Sequence, residues 1–219
     1  GGEQGVENRH TEARGGDTTM ITRVTKASII LAVWLAVPAV SQADATTFRV
    51  SDDGKSRVTF VSDAPLDTMT GKSSKVTGTL TVDPSDVTKT TGSFKVPVVS
   101  LRTGNDLRDE HLQGDGWLDA KKNPDIVFEI DKVILGKKDS PELKKGKVTK
   151  VQVTGKFTAH GVTQPVTTNG TVKWSDDALL IKAAFTTKLE DHEISVPAIV
   201  RLKVANEIAV SVDLRAVAQ

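Results

Sequence analysis

The sequence predicts an all-β fold of about eight antiparallel strands, with one short helix between two of them. Three observations support this prediction. Apolar and polar residues alternate along most of the chain, as they do in strands that bury one face. The connections between the alternating segments are mostly short and contain turn-forming residues. No strand–helix–strand rhythm is present, so a parallel sheet is not expected.

The longest regular alternation runs from 179 to 189, and another from 208 to 215 closes the chain. The other predicted strands are 57–61, 76–82, 94–98, 126–131, 151–157 and 164–174. Eight antiparallel strands can close into a barrel, which removes exposed edges, or pack as a two-sheet sandwich. The interior of an eight-stranded barrel is either filled by side chains or holds one small apolar ligand.

One segment, Arg102 to Pro124, breaks the alternation and is dense in charge. Asn105 or Thr103 can cap a helix, because a short polar side chain accepts hydrogen bonds from the free N–H groups of the first turn. Gly114 and Gly116 can end it, since glycine adopts a positive φ without a Cβ clash. The segment therefore predicts a short helical plug followed by a loop that turns back towards the apolar interior.

On this helix His111, with Asp109 and Glu110 beside it, has the chemistry of an acid–base site, since histidine titrates near neutrality. Residues two apart point to different faces of a helix, however, so Asp109 and His111 should not face each other. The Gly-x-Ser-x-Gly nucleophile motif is also absent. We interpret Arg108, Asp109 and His111 as a structural lock that fastens the helix to the barrel rim. The alternative is an enzyme or a stress-response factor that uses them at the barrel mouth.

The sequence predicts neither a metal site nor a cofactor. Asp191, His192 and Glu193 are residue types that bind divalent ions, but consecutive residues rarely converge on one ion, and we interpret them as a solvated loop. His160 precedes Gly161 and is interpreted as a turn residue. The chain has no cysteine, which removes disulfides, thiol nucleophiles and thiolate metal ligands.

Residues 20–43 are typical of a secretory signal peptide, with a basic start, an apolar run from 27 to 40 and small residues before the cleavage point. The apolar run is shorter than the roughly 20 residues of a membrane span. Residues 1–19 are interpreted as an over-extended, non-native start, and residues 44–219 as one domain. We expect a periplasmic or secreted product. A net charge of +1 gives no electrostatic reason for binding nucleic acid.

Apolar side chains on the alternating faces should converge inside the fold, joined by a tryptophan from the loop after the helix. They either fill a core or line a ligand pocket, and the pattern does not separate the two. The candidate ligand-binding residues are Phe60, Leu80, Phe94, Val96, Trp117, Phe128, Ile130, Phe157, Trp174, Ile181, Phe185 and Ile208.

Two blocks of sequence lie in order along the chain. The first contains Thr103-Gly104-Asn105, Arg108-Asp109, His111-Leu112, Trp117-Leu118-Asp119 and Asn123-Pro124. The second contains Val153-Thr154-Gly155-Lys156-Phe157-Thr158, His160-Gly161-Val162-Thr163 and Pro165-Val166. Together they resemble the signature of the YceI-like family of bacterial exported proteins.

The resemblance implies a lipocalin-like antiparallel β-barrel that binds polyisoprenoids or other long-chain amphiphiles in an apolar interior. The expected partner is a long-chain isoprenoid, a quinone or a fatty amphiphile, bound without catalysis, and a homodimer is compatible with such a fold. Segments 56–66 and 189–194 depart from the commoner family pattern of histidine- and arginine-containing segments. We therefore expect a divergent member whose contacts with the ligand head group differ.

Overall fold

The computed structural model of the chain describes residues 45–219. The predicted signal peptide and the residues before it lie outside this part, so those predictions stand untested. The elements are β1 (Thr46–Val50), β2 (Arg57–Ala64), β3 (Asp67–Ser73), β4 (Thr77–Asp83), β5 (Asp86–Pro97), α1 (Asp106–Gln113), β6 (Asp125–Ile134), β7 (Val148–Ala159), β8 (Val162–Ser175), β9 (Ala178–Lys188) and β10 (Glu207–Ala218). Short 3-10 turns lie at Val98–Ser100, Glu190–His192 and Ala198–Val200.

These strand segments form an antiparallel barrel of eight strands, because two of the eight are interrupted midway. β10 pairs with β2 along its first half and with β1 along its last residues, so β1 and β2 are two parts of one barrel strand. β3 and β4 form the next strand in the same way, since β3 pairs with β2 and β4 with β1. The ring runs β1-β4-β5-β6-β7-β8-β9-β10 and returns to β1. The prediction of an eight-stranded barrel is confirmed.

The sequence prediction missed β1 and β3. The buried residues of β3 are Met69, Gly71 and Ser73, which give no run of large apolar residues for a pattern to detect. Gly71 lies opposite Phe60 in the β2–β3 register, and a Cβ at this position would collide with the phenyl ring. Packing across the strand pair, and not the pattern of β3 itself, therefore places this strand.

The capping of α1 agrees with the prediction at its start and differs at its end. The side-chain oxygen of Asn105 accepts a hydrogen bond from the N–H of Arg108 at 3.0 Å, so Asn105 caps the helix. Gly114 follows the last turn with φ −72°, an extended conformation open to any residue. The helix therefore ends without the left-handed glycine that the sequence suggested.

A packed core fills one end of the barrel. Trp174 meets Phe48 edge-on with ring centroids 6.2 Å apart. The loop between β6 and β7 closes this end with Leu143, which is buried and whose N–H donates to the carbonyl of Pro84 at 2.8 Å. The other fully packed side chains here are Leu80, Val82, Val87, Leu179, Leu214 and Ala216.

The sheet closes on itself and surrounds its own core, so the described barrel is a self-contained folding unit. At the end opposite the packed core lie α1, the β2–β3 turn and the connection from β9 to β10. We call this end the mouth. Among the described helices, none is long and apolar enough to cross a bilayer.

Candidate functional site

An apolar cavity occupies the half of the barrel nearest the mouth. Its outer part, under α1, has a volume of 280 Å³, and its inner part has a volume of 130 Å³. The two parts adjoin, because the same residues line both of them: Val58, Val96, Ile126, Phe157 and Val210. The barrel is thus packed at one end and hollow at the other, which resolves the alternative that the sequence left open.

A larger hollow of 1080 Å³ lies on the outer face of the sheet, across β7 to β10 and β2. Polar and charged side chains line it, among them Lys55, Lys150, Lys182 and Asp213, and Lys182 is already paired with Asp213 at 3.1 Å. It is an open, solvated concavity of a curved sheet. The smaller enclosed cavity is the better candidate for a ligand site, since binding sites are concave and mostly apolar.

Most of the candidate ligand-binding residues lie in the cavity wall. The outer part is lined by Phe60, Val96, Trp117, Phe157 and Ile208. The inner part is lined by Phe94, Val96, Phe128, Ile130, Phe157, Ile181 and Phe185. Leu80 and Trp174 line neither part: Leu80 is buried opposite Phe48 in the β1–β4 register, and Trp174 packs on the same ring. We therefore assign Leu80 and Trp174 to the packed core and not to the cavity wall.

Sequence reasoning missed the cavity residues that come from segments without strand alternation. One group lies on α1, where Arg108, His111 and Leu112 all face the cavity. Their i, i+3, i+4 spacing is the signature of one helix face and was a usable signal. The other residues missed in such segments are Met69, Leu101, Ile194, Val200 and Val204.

The polar groups at the start of α1 hold the preceding turn. Asp109 is buried, and its carboxylate accepts hydrogen bonds from the N–H and the hydroxyl of Thr103 at 2.7 and 2.6 Å. Arg108 donates from Nε to the Thr103 hydroxyl at 3.0 Å and from Nη2 to the Thr103 carbonyl at 3.2 Å. Its Nη1 also lies 3.8 Å from a carboxylate oxygen of Asp67, at the start of β3. These contacts tie the helix to the chain around it.

His111 differs from Arg108 and Asp109 in making no such contacts in the described part of the chain. Its side chain is exposed, lines the outer cavity and makes no hydrogen bond within the described residues. The carboxylate of Asp109 is turned to Thr103 instead of the imidazole. Asp109 and His111 therefore do not form an acid–base pair. The imidazole of His111 is available to contact a ligand at the mouth.

His192 corrects the interpretation of its segment as a solvated loop. Its side chain is 1% exposed, with Nδ1 2.9 Å from the carbonyl oxygen of Val162 and Nε2 2.9 Å from the hydroxyl of Thr187. A carbonyl only accepts, so Nδ1 carries a proton, and in the neutral ring Nε2 accepts from Thr187. The ring also meets Phe157 edge-on, with centroids 5.3 Å apart. The burial follows from the chain folding over the mouth, which the local sequence does not reveal.

His192 has both ring nitrogens engaged, which leaves no lone pair for a metal ion. No group of three or more His, Cys, Asp or Glu side chains within residues 45–219 is placed to hold a metal ion. His160 lies in the β7–β8 turn with φ 52°, followed by Gly161 with φ 75°, as a two-residue hairpin turn requires. The interpretation of His160 as a turn residue is confirmed.

The YceI-like domain matches residues 50–216 of the chain. A UPF0312 protein of Vibrio parahaemolyticus is 27% identical over 135 residues, which cover 58% of this chain and 64% of the relative. A UPF0312 protein of Pseudomonas putida is 31% identical over 111 residues, covering 48% of this chain and 53% of the relative. The matched part thus spans between half and two thirds of these relatives.

Two solved structures share the fold. BcnA of Burkholderia cenocepacia has a TM-score of 0.65 at 22% identity, covering 76% of this chain and 98% of that protein. A polyisoprenoid binding domain from Saccharophagus degradans, implicated in plant cell wall breakdown, has a TM-score of 0.63 at 14% identity, covering 80% of this chain and 100% of that domain. At these identities the likeness establishes the fold. The match over residues 50–216 establishes the family, and the chain belongs to the YceI-like domain family.

Proposed function

We propose that this protein is a non-enzymatic carrier that binds a long-chain apolar ligand of the polyisoprenoid class inside its barrel. The observation that carries the proposal is the two-part apolar cavity of 280 and 130 Å³, entered beside α1. The structural likeness to a polyisoprenoid binding domain of Saccharophagus degradans supports the same ligand class.

The inner part of the cavity favours plain hydrocarbon. Its only side chain with a polar group is Thr168, and that hydroxyl already donates to the carbonyl of Ala184 at 2.6 Å. A polar ligand group placed there would lose its hydrogen bonds to water and gain none, which is costly. An apolar chain end loses nothing, and each buried methylene gains about 0.8 kcal/mol.

The cavity volume sets the length of chain that fits. An apolar cavity of about 150 Å³ holds one benzene molecule, with its six carbons. By this comparison the outer part of 280 Å³ takes about eleven carbons and the inner part of 130 Å³ about five. The sum corresponds to about three isoprene units, so the rest of a longer chain would extend through the mouth.

The mouth is where a polar head group would lie. Arg108 and His111 bring a guanidinium and an imidazole to the cavity wall near the entrance. The other polar pair in the wall, His192 and Thr187, is already hydrogen-bonded internally. A hydroxyl, phosphate or carboxyl head group suits this entrance, and the bulky ring of a quinone suits it less.

We place the protein in the periplasm on the basis of residues 20–43, which are typical of a secretory signal peptide.

The test is a chain-length series on purified residues 44–219. Prenols of one to four isoprene units are titrated while the fluorescence of Trp117, in the cavity wall, is followed. A Trp174→Phe background removes the signal of the closed end. Affinity should rise with each unit up to about three units and then level, because the cavity takes about sixteen carbons. Absence of binding, or affinity independent of length, would contradict the proposal. Solvent extraction of the purified protein should also release a long-chain lipid.

A further inference from the structure

Exposed aliphatic side chains gather around the mouth of the barrel. Within residues 45–219, the large apolar side chains that are more than half exposed are Leu66, Val99, Leu107, Val148, Ile199 and Leu202. Four of them, Leu66, Leu107, Ile199 and Leu202, lie on the mouth elements, and we call these four the rim patch. Ile199 is 93% exposed, which is extreme for an isoleucine in a folded domain.

A backbone hydrogen bond and an ion pair connect the segments that carry the rim patch. The N–H of Leu66, in the β2–β3 turn, donates to the carbonyl of Leu202 at 2.8 Å. Ile199 lies three residues before Leu202, in the 3-10 turn Ala198–Val200. Leu107 lies in the first turn of α1, beside Arg108, whose guanidinium reaches the residue after Leu66. The patch is thus a feature of one surface and not a scatter of single side chains.

The rim patch frames the entrance of the cavity. Arg108, beside Leu107, lines the outer cavity. Val200, beside Ile199, and Val204, two residues after Leu202, line it from the other side. The same short segments therefore turn one side chain into the cavity and the next out to the surroundings.

The charge of this surface is uneven. From Ile194 to Asn206 the only charged side chains are Arg201 and Lys203. Both are exposed, and neither forms an ion pair in the described part of the chain. The Nε of Arg201 donates to the carbonyl of Val196 at 3.2 Å, so the base of its guanidinium is fixed beside the patch. Acidic side chains lie elsewhere around the mouth: Asp106 and Glu110 on α1, Asp67 after Leu66, and Glu190, Asp191 and Glu193 at the start of the β9–β10 connection. The basic character is therefore confined to the stretch that carries Ile199 and Leu202.

We propose that the rim patch docks on a phospholipid bilayer. Ile199 and Leu202 insert at the level of the head groups, and Arg201 and Lys203 contact anionic lipid phosphates. Aliphatic tips flanked by cations are the composition that binds such interfaces, with the long cationic side chains reaching back to the phosphates. The purpose of docking rests on the proposed function: an apolar ligand then passes between membrane and cavity without crossing water. The docking itself needs no ligand.

The test measures binding of residues 44–219 to vesicles by co-sedimentation. Vesicles of phosphatidylcholine are compared with vesicles that also contain phosphatidylglycerol. Ile199→Ser/Leu202→Ser should weaken binding to both by at least about tenfold, because two aliphatic insertions are lost. Val148→Ser is the control, since Val148 is 60% exposed, close to the 56% of Leu202, but lies at the opposite end of the barrel; this variant should bind as wild type. Arg201→Gln/Lys203→Gln should lose about fivefold per charge, on the anionic vesicles only.

Equal binding by wild type and Ile199→Ser/Leu202→Ser would overturn the proposal, as would an equal loss in Val148→Ser. A second result would also overturn it: wild type does not bind vesicles but self-associates in sedimentation velocity, and Ile199→Ser/Leu202→Ser dissociates the assembly. The rim patch would then be an interface between two copies of the chain. Prenol titration in solution separates this inference from the proposed function. Loss of prenol binding with intact vesicle binding refutes only the carrier role, and the reverse refutes only the docking.

Discussion

Filling the inner part of the cavity should shorten the chain that the protein binds. Ala183 lies in β9 with its side chain in the wall of the inner part, beside Gly170 of β8. Ala183→Phe adds one phenyl ring, and benzene occupies a cavity of about 150 Å³. The inner part has 130 Å³, so the new ring fills it and leaves the outer part of 280 Å³ unchanged.

The expected change in affinity follows from the carbons displaced. The inner part takes about five carbons, and at about 0.8 kcal/mol per methylene their burial is worth up to about 4 kcal/mol. Since each 1.4 kcal/mol is about tenfold in affinity, the Kd of farnesol, with three isoprene units, should rise by about 100-fold or more. Geraniol, with two units, fits the outer part alone, and its Kd should stay unchanged. The variant should thus bind the two prenols almost equally.

The matched control is Ala184→Phe, the same substitution one residue later. Ala184 is exposed on the outer face of β9, so its ring should affect neither prenol. Both variants should melt within a few degrees of wild type, because one fills an apolar void and the other is solvated. Equal farnesol affinity in Ala183→Phe and Ala184→Phe would refute the assignment of the inner cavity as part of the ligand site. A parallel loss for geraniol would show that the ring reaches into the outer part.

Two further predictions concern stability. Asp109→Ala leaves the N–H and hydroxyl of Thr103 without an acceptor and should lower the free energy of unfolding by about 1–3 kcal/mol. His111 is exposed, so His111→Ala should change the free energy of unfolding by less than about 0.5 kcal/mol. Both are measured by urea titration, and similar losses in the two variants would contradict the distinction. The pKa of Asp83 is lowered from 3.8, first because the hydroxyl of Ser85 and then because its N–H donates to the carboxylate. Its stabilising contribution is therefore present above pH 3.8 and lost as the pH falls through the lower folded value. The stability advantage of wild type over Asp83→Asn should shrink below pH 3.8, and an advantage that grew there would speak against the assigned cause.

The alternation of apolar and polar residues was sufficient to predict most of the strands. The alternation of 179–189 predicts β9 almost to the residue, because the inward positions are apolar apart from Thr187 and the outward ones are polar apart from Leu180 and Ala184. β3 was missed because its inward residues are Met69, Gly71 and Ser73, and Gly71 is explained only by the ring of Phe60 on the neighbouring strand. A local sequence pattern carries no information about which residues pair across strands. A strand whose inward residues are small because a side chain of the neighbouring strand covers them is therefore not predicted from its own sequence.

The mouth was less predictable than the wall. Asn105 as helix cap and Arg108 on the helix face follow from local spacing. The burial of His192 does not follow from local spacing. It depends on the carbonyl of Val162, thirty residues away at the start of β8, and on the hydroxyl of Thr187 in β9. The rim patch was missed for the same reason: an exposed Ile199 differs from a buried one only in where the chain around it folds.

The division of the barrel into a packed and a hollow half has a cause in residue size. In the hollow half several phenylalanines lie opposite or diagonal to glycines on the adjacent strand, as Phe60 does to Gly71 and Phe128 to Gly155, and a Cβ at either glycine would collide with the ring. Each ring therefore lies flat along the wall over its glycine instead of crossing the lumen, as aromatic side chains do when they cover strand glycines. The aromatic residues that would otherwise fill the core become the lining of a cavity. Glycines in strand positions beside phenylalanines are thus the sequence feature that separates a hollow barrel from a filled one in this chain.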